Sequence, residues 1–128
     1  KAGLNIHLIT DLRCQKYLPP DLPIVPHIIN LHLKISGLLS KIKSAFQILF
    51  ACLKSITLIR QIKPEIIIGF GGYPSFPPMA AARLLNIPMI IQEQNCFLGK
   101  SNRFFANSAK LIALSYKETD NININFKS

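Results

Sequence analysis

The feature that most constrains the fold is the stretch Ile66-Ile67-Ile68-Gly69-Phe70-Gly71-Gly72-Tyr73-Pro74-Ser75. Three β-branched residues in a row predict a buried parallel strand. Glycines at 69, 71 and 72 follow at once, and Phe76-Pro77-Pro78-Met79-Ala80-Ala81-Ala82-Arg83-Leu84-Leu85 then reads as a helix. Proline is tolerated in its first turn, where the backbone N–H has no intrahelical partner. A strand, a glycine turn and a helix start in succession make an anion site. Glycines turn tightly and allow close approach, while unpaired N–H groups and the helix dipole favour negative charge. The expected ligand at Gly69–Ser75 is a phosphate or pyrophosphate. The pattern is neither the G-x-G-x-x-G fingerprint nor a Walker loop. Pro74 stands where a third glycine would be, and no Gly-Lys-Ser/Thr follows.

The rest of the chain alternates around this stretch. Leu4–Thr10 reads as a strand, and Asp11 to Pro23 as a loop broken by Pro19, Pro20 and Pro23. Ile24–Ile29 could be a short strand, which Pro26 demotes toward an edge. Gly37–Ile62 is the longest helical candidate, with Leu38, Ile42, Phe46, Leu49, Leu53, Ile56 and Ile59 in steps of three and four. Glu65–Ile68 is the central strand and Pro88–Gln92 the next. Asn86 caps the helix between them. Gly99–Ala109 forms a further helix and Lys110–Ser115 a last strand. This alternation predicts an α/β fold, a Rossmann-like parallel sheet with flanking helices. In such sheets ligands bind beyond the carboxyl ends of the strands, where Gly69–Ser75 and Glu93–Asn95 both fall. Lys1-Ala2-Gly3 reads as a helix end with a glycine C-cap, and Asp120–Ser128 stops without a domain end. The 128 residues are therefore expected to be a fragment, with a strand and helix missing before Lys1.

Composition narrows the partners. Fifteen Lys and Arg against six Asp and Glu give a net charge of +9. The basic residues are dispersed and the aromatics are mostly Phe within apolar runs, so nucleic acid ranks last. An anionic substrate or an anionic membrane surface remains. The long helix carries more apolar surface than one sheet face needs. Lys41, Lys43 and Lys54 make it too short and too charged for a transmembrane span. Two readings stay open: a core helix with basic edges, or an exposed patch of Ile42, Phe46 and Leu49 beside Lys43 that rests on an anionic bilayer. Cys14, Cys52 and Cys96 are odd in number and widely spaced, which predicts reduced thiols. His7, His27 and His32 have no carboxylate or cysteine at ligand spacing, so neither a metal nor another cofactor is expected.

The segment Gln92-Glu93-Gln94-Asn95 puts two amides and a carboxylate on one loop. Amides suit sugar hydroxyls and an acetamido group, and Glu93 could accept a hydroxyl proton. The competing reading is loop hydrogen bonding, with Asn95 as a turn residue. Tyr73 could stack on a ligand or pack across the loop, and Phe70 is expected in the core. Lys100 and Arg103 could neutralise phosphate. No Ser–His–Asp set is arguable, and hydrolysis of a glycoside needs two facing carboxylates where only Glu93 is available.

Gly69-Phe70-Gly71-Gly72-Tyr73-Pro74-Ser75 followed by Ile91-Gln92-Glu93-Gln94-Asn95 resembles the MurG family. Ile35-Ser36-Gly37-Leu38 and Leu98-Gly99-Lys100-Ser101-Asn102-Arg103 fit the same pattern, so the resemblance covers nearly the whole chain. It implies the N-terminal, acceptor-binding half of a two-domain GT-B glycosyltransferase, lacking the first glycine loop with its histidine and the C-terminal donor domain. The implied reaction moves GlcNAc from UDP-GlcNAc to undecaprenyl-pyrophosphoryl-MurNAc-pentapeptide in peptidoglycan synthesis. The enzyme would be peripheral at the cytoplasmic face of the bacterial inner membrane. By the resemblance, Asn95 contacts the donor GlcNAc, and Gly71, Gly72, Tyr73 and Ser75 meet the acceptor pyrophosphate, with Glu93 and Gln94 beside them. The family's apolar patch with basic neighbours falls on the helix bearing Ile42, Phe46 and Leu49. The family's usual histidine is replaced by Gln92, which removes a titratable group next to Glu93. Alternatives are a remnant that only binds lipid-linked acceptor or membrane, a half that works with a donor domain in trans, or a transferase of this fold with another lipid-linked acceptor.

Overall fold

Among the described residues five strands form, in parallel pairings, but in two separate sheets. The computed structural model describes residues 3–19, 21, 23–29, 31 and 37–120. Lys1-Ala2, His32, Ile35-Ser36 and residues 121–128, all used in the sequence reading, lie outside the described residues.

In the first sheet β1 (Ile6–Thr10) pairs with β2 (Ile24–Ile28), Ile6 opposite Ile24 and Thr10 opposite Ile28. Pro26 sits within β2, where a strand with a single partner tolerates the missing donor. The expected loop after β1 contains a short helix, α1 (Leu12–Gln15). Asp11 is its N-cap, and its Oδ1 accepts the N–H groups of Arg13 at 3.1 Å and Cys14 at 3.3 Å.

Helix α2 (Leu38–Ile62) runs nearly as the periodicity predicts. It stops because Lys63 turns left-handed, φ 52°, with its N–H on the Ile59 carbonyl at 2.8 Å, and Pro64 cannot continue a helix. Its buried edge is Ala51, Ser55 and Ile59, steps of four along one line. Ala51 joins Ile29, Leu31, Ile9 and Ile48 in one apolar cluster, and α2 also lies along the next helix, α3 (Phe76–Leu84). Contrary to the sequence expectation, Leu39–Ile62 is long and apolar enough to cross a membrane, with mean hydropathy 1.5. Its charges are spread far enough apart to leave one long apolar window. That is a property of length and composition alone, and the line of Ala51, Ser55 and Ile59 is the edge by which the helix joins the domain.

The second sheet has the order β3 (Ile67–Gly69), β4 (Met89–Glu93), β5 (Leu111–Leu114). Its connections are α3, preceded by a 3-10 turn at Tyr73–Ser75, and α4 (Lys100–Phe105), followed by another at Ala106–Ser108. After α3, Asn86 takes the left-handed conformation, φ 56°, with its N–H on Arg83. Met79, Ala82, Met89, Ile91 and Phe105 form the core, with Ile67 and Ile112 against it. Each large apolar side chain fully buried there contributes about 1.5–3 kcal/mol. Phe76, Phe104 and Phe105 lock α3 to α4, with ring centroids 4.9–5.3 Å apart.

The central strand is half-covered, not fully buried. Ile67 and Gly69 face α3, whereas Ile66, Ile68 and Phe70 alternate onto the opposite face and are 44–56% exposed. The core position expected for Phe70 is thereby corrected. Period two carries it to the face that no described element covers.

Candidate functional site

The glycine turn leaves the carboxyl end of β3. Gly71 and Gly72 have φ of 81° and 71°, a region costly for any residue with a Cβ. A Cβ at Gly71 would also stand 2.9 Å from Nδ2 of Asn102. Ser75 closes the turn: its hydroxyl donates toward the carbonyls of Gly71 at 2.7 Å and Gly72 at 3.0 Å. Among the described residues, no backbone or side-chain acceptor meets the N–H groups of Gly71 and Gly72. These donors and the start of α3 sit where an anion would be stabilised. Tyr73 lies at the mouth of the turn and is partly exposed.

The second loop begins inside β4. Met89, Ile91 and Glu93 share the buried face of that strand, so Glu93 points inward, as the loop hydrogen-bonding reading of this segment has it. Its carboxylate is 2% exposed and fully engaged. Oε1 accepts the backbone N–H of Asn95 at 3.1 Å and its Nδ2 at 2.9 Å. Oε2 accepts the Gly99 N–H at 3.0 Å and Asn102 Nδ2 at 2.8 Å. Burial alone would push the carboxyl up; the Gly99 N–H, the Asn102 amide and Asn95 outweigh it and hold it below its ordinary value. Both carboxylate oxygens are thus taken up within the loop, each by two donors. Their work is to fix Asn95 and the start of α4.

One hydrogen bond and one packing contact tie this loop to the glycine turn. Gln94 Nε2 donates to the Phe70 carbonyl at 3.2 Å. Asn102, on α4 and 2% exposed, packs against Gly71 while donating to Glu93 and to the Gln92 carbonyl at 3.3 Å. Asn95 itself is exposed beside the turn. Gln92 reaches the other way, its Nε2 donating to Ser115 Oγ at 3.2 Å. Lys100 and Arg103 are exposed near the start of α4. The sequence reading quoted Asn102 within a motif but gave it no role. Its signal is the three-residue spacing to Phe105, which puts both on the covered face of a short helix.

A third loop, also missed, comes from β1. Asp11 is 3% exposed, and its Oδ2 accepts Arg13 Nε at 2.8 Å and Arg13 Nη2. Burial opposes ionisation of Asp11, but the Arg13 guanidinium and two backbone N–H groups hold its carboxyl below the ordinary range. The guanidinium lies 4.8 Å from the centroid of the Tyr73 ring. The carboxyl ends of β1 and β3, in different sheets, thus meet at Tyr73.

Away from this cluster, α2 presents a broad apolar surface. Ile42, Phe46 and Leu49 are 49%, 67% and 56% exposed, and Lys43 lies among them. Among the described residues no group of three His, Cys, Asp or Glu side chains could hold a metal ion, and the three cysteines are free.

The profile of the glycosyltransferase family 28 N-terminal domain matches residues 1–114. The chain is 49% identical over 122 residues to the UDP-N-acetylglucosamine–N-acetylmuramyl-(pentapeptide) pyrophosphoryl-undecaprenol N-acetylglucosamine transferase of Rickettsia typhi. It is 51% identical over 126 residues to the protein of the same name from Rickettsia prowazekii. Each match covers 95% of this chain and 31% of the relative, so the chain spans about a third of the length of the curated relatives it matches. The crystal structure of Acinetobacter baumannii MurG superposes with a TM-score of 0.65 at 33% identity, over 75% of this chain and 28% of that one. The parallel α/β architecture, the glycine turn at a strand end and the profile agree: the chain belongs to glycosyltransferase family 28 and carries that family's N-terminal domain.

Proposed function

We propose that the chain is the acceptor-binding half of an enzyme that moves GlcNAc from UDP-GlcNAc to polyprenyl-pyrophosphoryl-MurNAc-peptide. The observation that carries this reading is the joining of the glycine turn to the amide loop, through Gln94 on the Phe70 carbonyl and Asn102 against Gly71. The names of the Rickettsia relatives supply the substrates. In this reading the N–H groups of Gly71 and Gly72 hold the acceptor pyrophosphate, with Ser75 shaping the turn and Tyr73 at its mouth. Asn95, oriented by Glu93, meets the GlcNAc unit. The acceptor hydroxyl attacks the anomeric carbon and UDP leaves, with the hydroxyl proton passing to a base. In this reading the exposed face of α2 rests on an anionic bilayer, and the enzyme works peripherally at the cytoplasmic face of the membrane.

Among the described residues β1 pairs only with β2, and β3 only with β4. In this reading a further parallel strand fills the space between β1 and β3, and a donor-binding domain completes the enzyme, in the same polypeptide or in trans. NMR titration of the chain tests the acceptor assignment. A short-chain polyprenyl-pyrophosphoryl-MurNAc-peptide should shift the Gly71 and Gly72 amides, and UDP-GlcNAc should leave them unmoved at the same concentration. The reverse preference would overturn the acceptor reading.

A further inference from the structure

The geometry points to Arg13 as a pyrophosphate ligand of this site, acting from the β1 loop opposite the glycine turn. The inference rests on the anion reading of Gly71 and Gly72 and adds a residue that reading does not use. A guanidinium carries five N–H donors in a planar fork. Asp11 Oδ2 takes Nε and one N–H of Nη2, leaving the other edge of the fork unused. Asp11 cannot swing to cover that edge. It is buried, and its Oδ1 is occupied by the N–H groups of Arg13 and Cys14. The Arg13 side chain is nevertheless 65% exposed, so it is fixed in direction yet open to solvent. It is fixed over Tyr73, the residue next to Gly72. Among the described residues its only ion pair is with Asp11. A buried carboxylate holds an exposed guanidinium against Tyr73, the residue that follows a turn with unpaired N–H groups, and this pairing makes a preorganised anion clamp. A pyrophosphate has oxygens enough to meet the glycine N–H groups from one side and the fork from the other.

The test uses the 128-residue chain and inorganic pyrophosphate, followed by NMR. In the wild type, pyrophosphate should shift the Gly71 and Gly72 amides and the Arg13 Nε–H resonance with one dissociation constant. Arg13→Gln should raise that constant about tenfold. Arg13→Lys should raise it less, since a point charge survives but the fork does not. Lys16→Gln removes a neighbouring charge that stacks on Tyr17, and should change the constant less than twofold. No shift at Gly71 and Gly72 in the wild type would sink the anion reading itself. Shifts there with an unmoved Arg13 Nε–H, or equal affinity in Arg13→Gln, would leave that reading standing and overturn the role of Arg13. The wild-type Arg13 resonance decides the matter even if the variants fold poorly.

Discussion

At the scale of the residue, the site depends on two positions that touch each other through Asn102. Gly71 combines a φ of 81° with a neighbour, Asn102 Nδ2, that would stand only 2.9 Å from an added Cβ. Gly71→Ala should therefore cost about 1–3 kcal/mol in chemical denaturation, from the left-handed backbone and the displaced amide together. It should also move the Asn102 side-chain resonances; an unchanged Asn102 would mean the two loops are not coupled there. Glu93 titrates below its ordinary value of 4.5, so the unfolded chain takes up its proton first as pH falls. Its stabilising contribution is complete above that value and is lost as pH drops through the lower native one. Asp11 adds a loss of the same sign from 3.8 downward. Glu93→Gln should cost about 2 kcal/mol at neutral pH, because one amide oxygen replaces a carboxylate that serves four donors. The same variant should flatten the fall in stability below pH 4.5, and an undiminished slope would show that these bonds do not hold the carboxylate. The local geometry of the candidate site was legible in part: the left-handed turn at Gly71 and Gly72 and the loop at Asn95 follow from glycine and amide patterns. The burial of Glu93 was legible only by carrying the period of Met89 and Ile91 one residue past the expected strand end at Gln92. The Arg13–Tyr73 contact joins separate sheets, and no pattern within either segment announces it.

At the scale of the element, α2 separates its two faces unequally. The buried line of Ala51, Ser55 and Ile59 is narrow, and Leu39, Phe46 and Phe50 are 67–85% exposed. The periodicity of the sequence foretold the length of this helix but could not say how much of its apolar surface the sheet would cover, because coverage is decided by neighbours far along the chain. The same ambiguity hid the uncovered face of β3: three consecutive isoleucines read alike whether one face is packed or both. If α2 is the membrane-resting element, Phe46→Ser with Leu49→Ser should reduce co-sedimentation with phosphatidylglycerol vesicles at least tenfold, since two half-buried apolar side chains are worth about 2 kcal/mol or more. Lys43→Gln should weaken binding at low salt and matter little at high salt. Binding unchanged in the double variant would remove α2 from the membrane and leave its apolar face to be covered by protein.

At the scale of the whole molecule, the open question is how two parallel sheets make one site. Parallel sheets are rarely small and rarely uncovered. Here the outer edges of β1 and β3 have no strand partner among the described residues, and Ile6, Ile66 and Ile68 are 44–49% exposed. Yet the carboxyl ends of the same two strands already meet at Arg13 and Tyr73. A strand entering between them in parallel would satisfy both edges, and its own carboxyl end would open onto Gly71, Gly72 and Arg13. Hydrogen exchange measures this directly. In the 128-residue chain, amides of β4, flanked by β3 and β5, should exchange at least a hundredfold more slowly than those of β1 and β3. The chain alone should transfer no labelled GlcNAc from UDP-GlcNAc to the lipid-linked acceptor. In a longer polypeptide that supplies the strand and the donor domain, protection at β1 and β3 should rise toward that of β4, and transfer should appear with it. Protection of β1 and β3 already equal to β4 in the short chain would mean that the two edges need no further strand. Transfer by the short chain alone would mean that the site is whole as it stands.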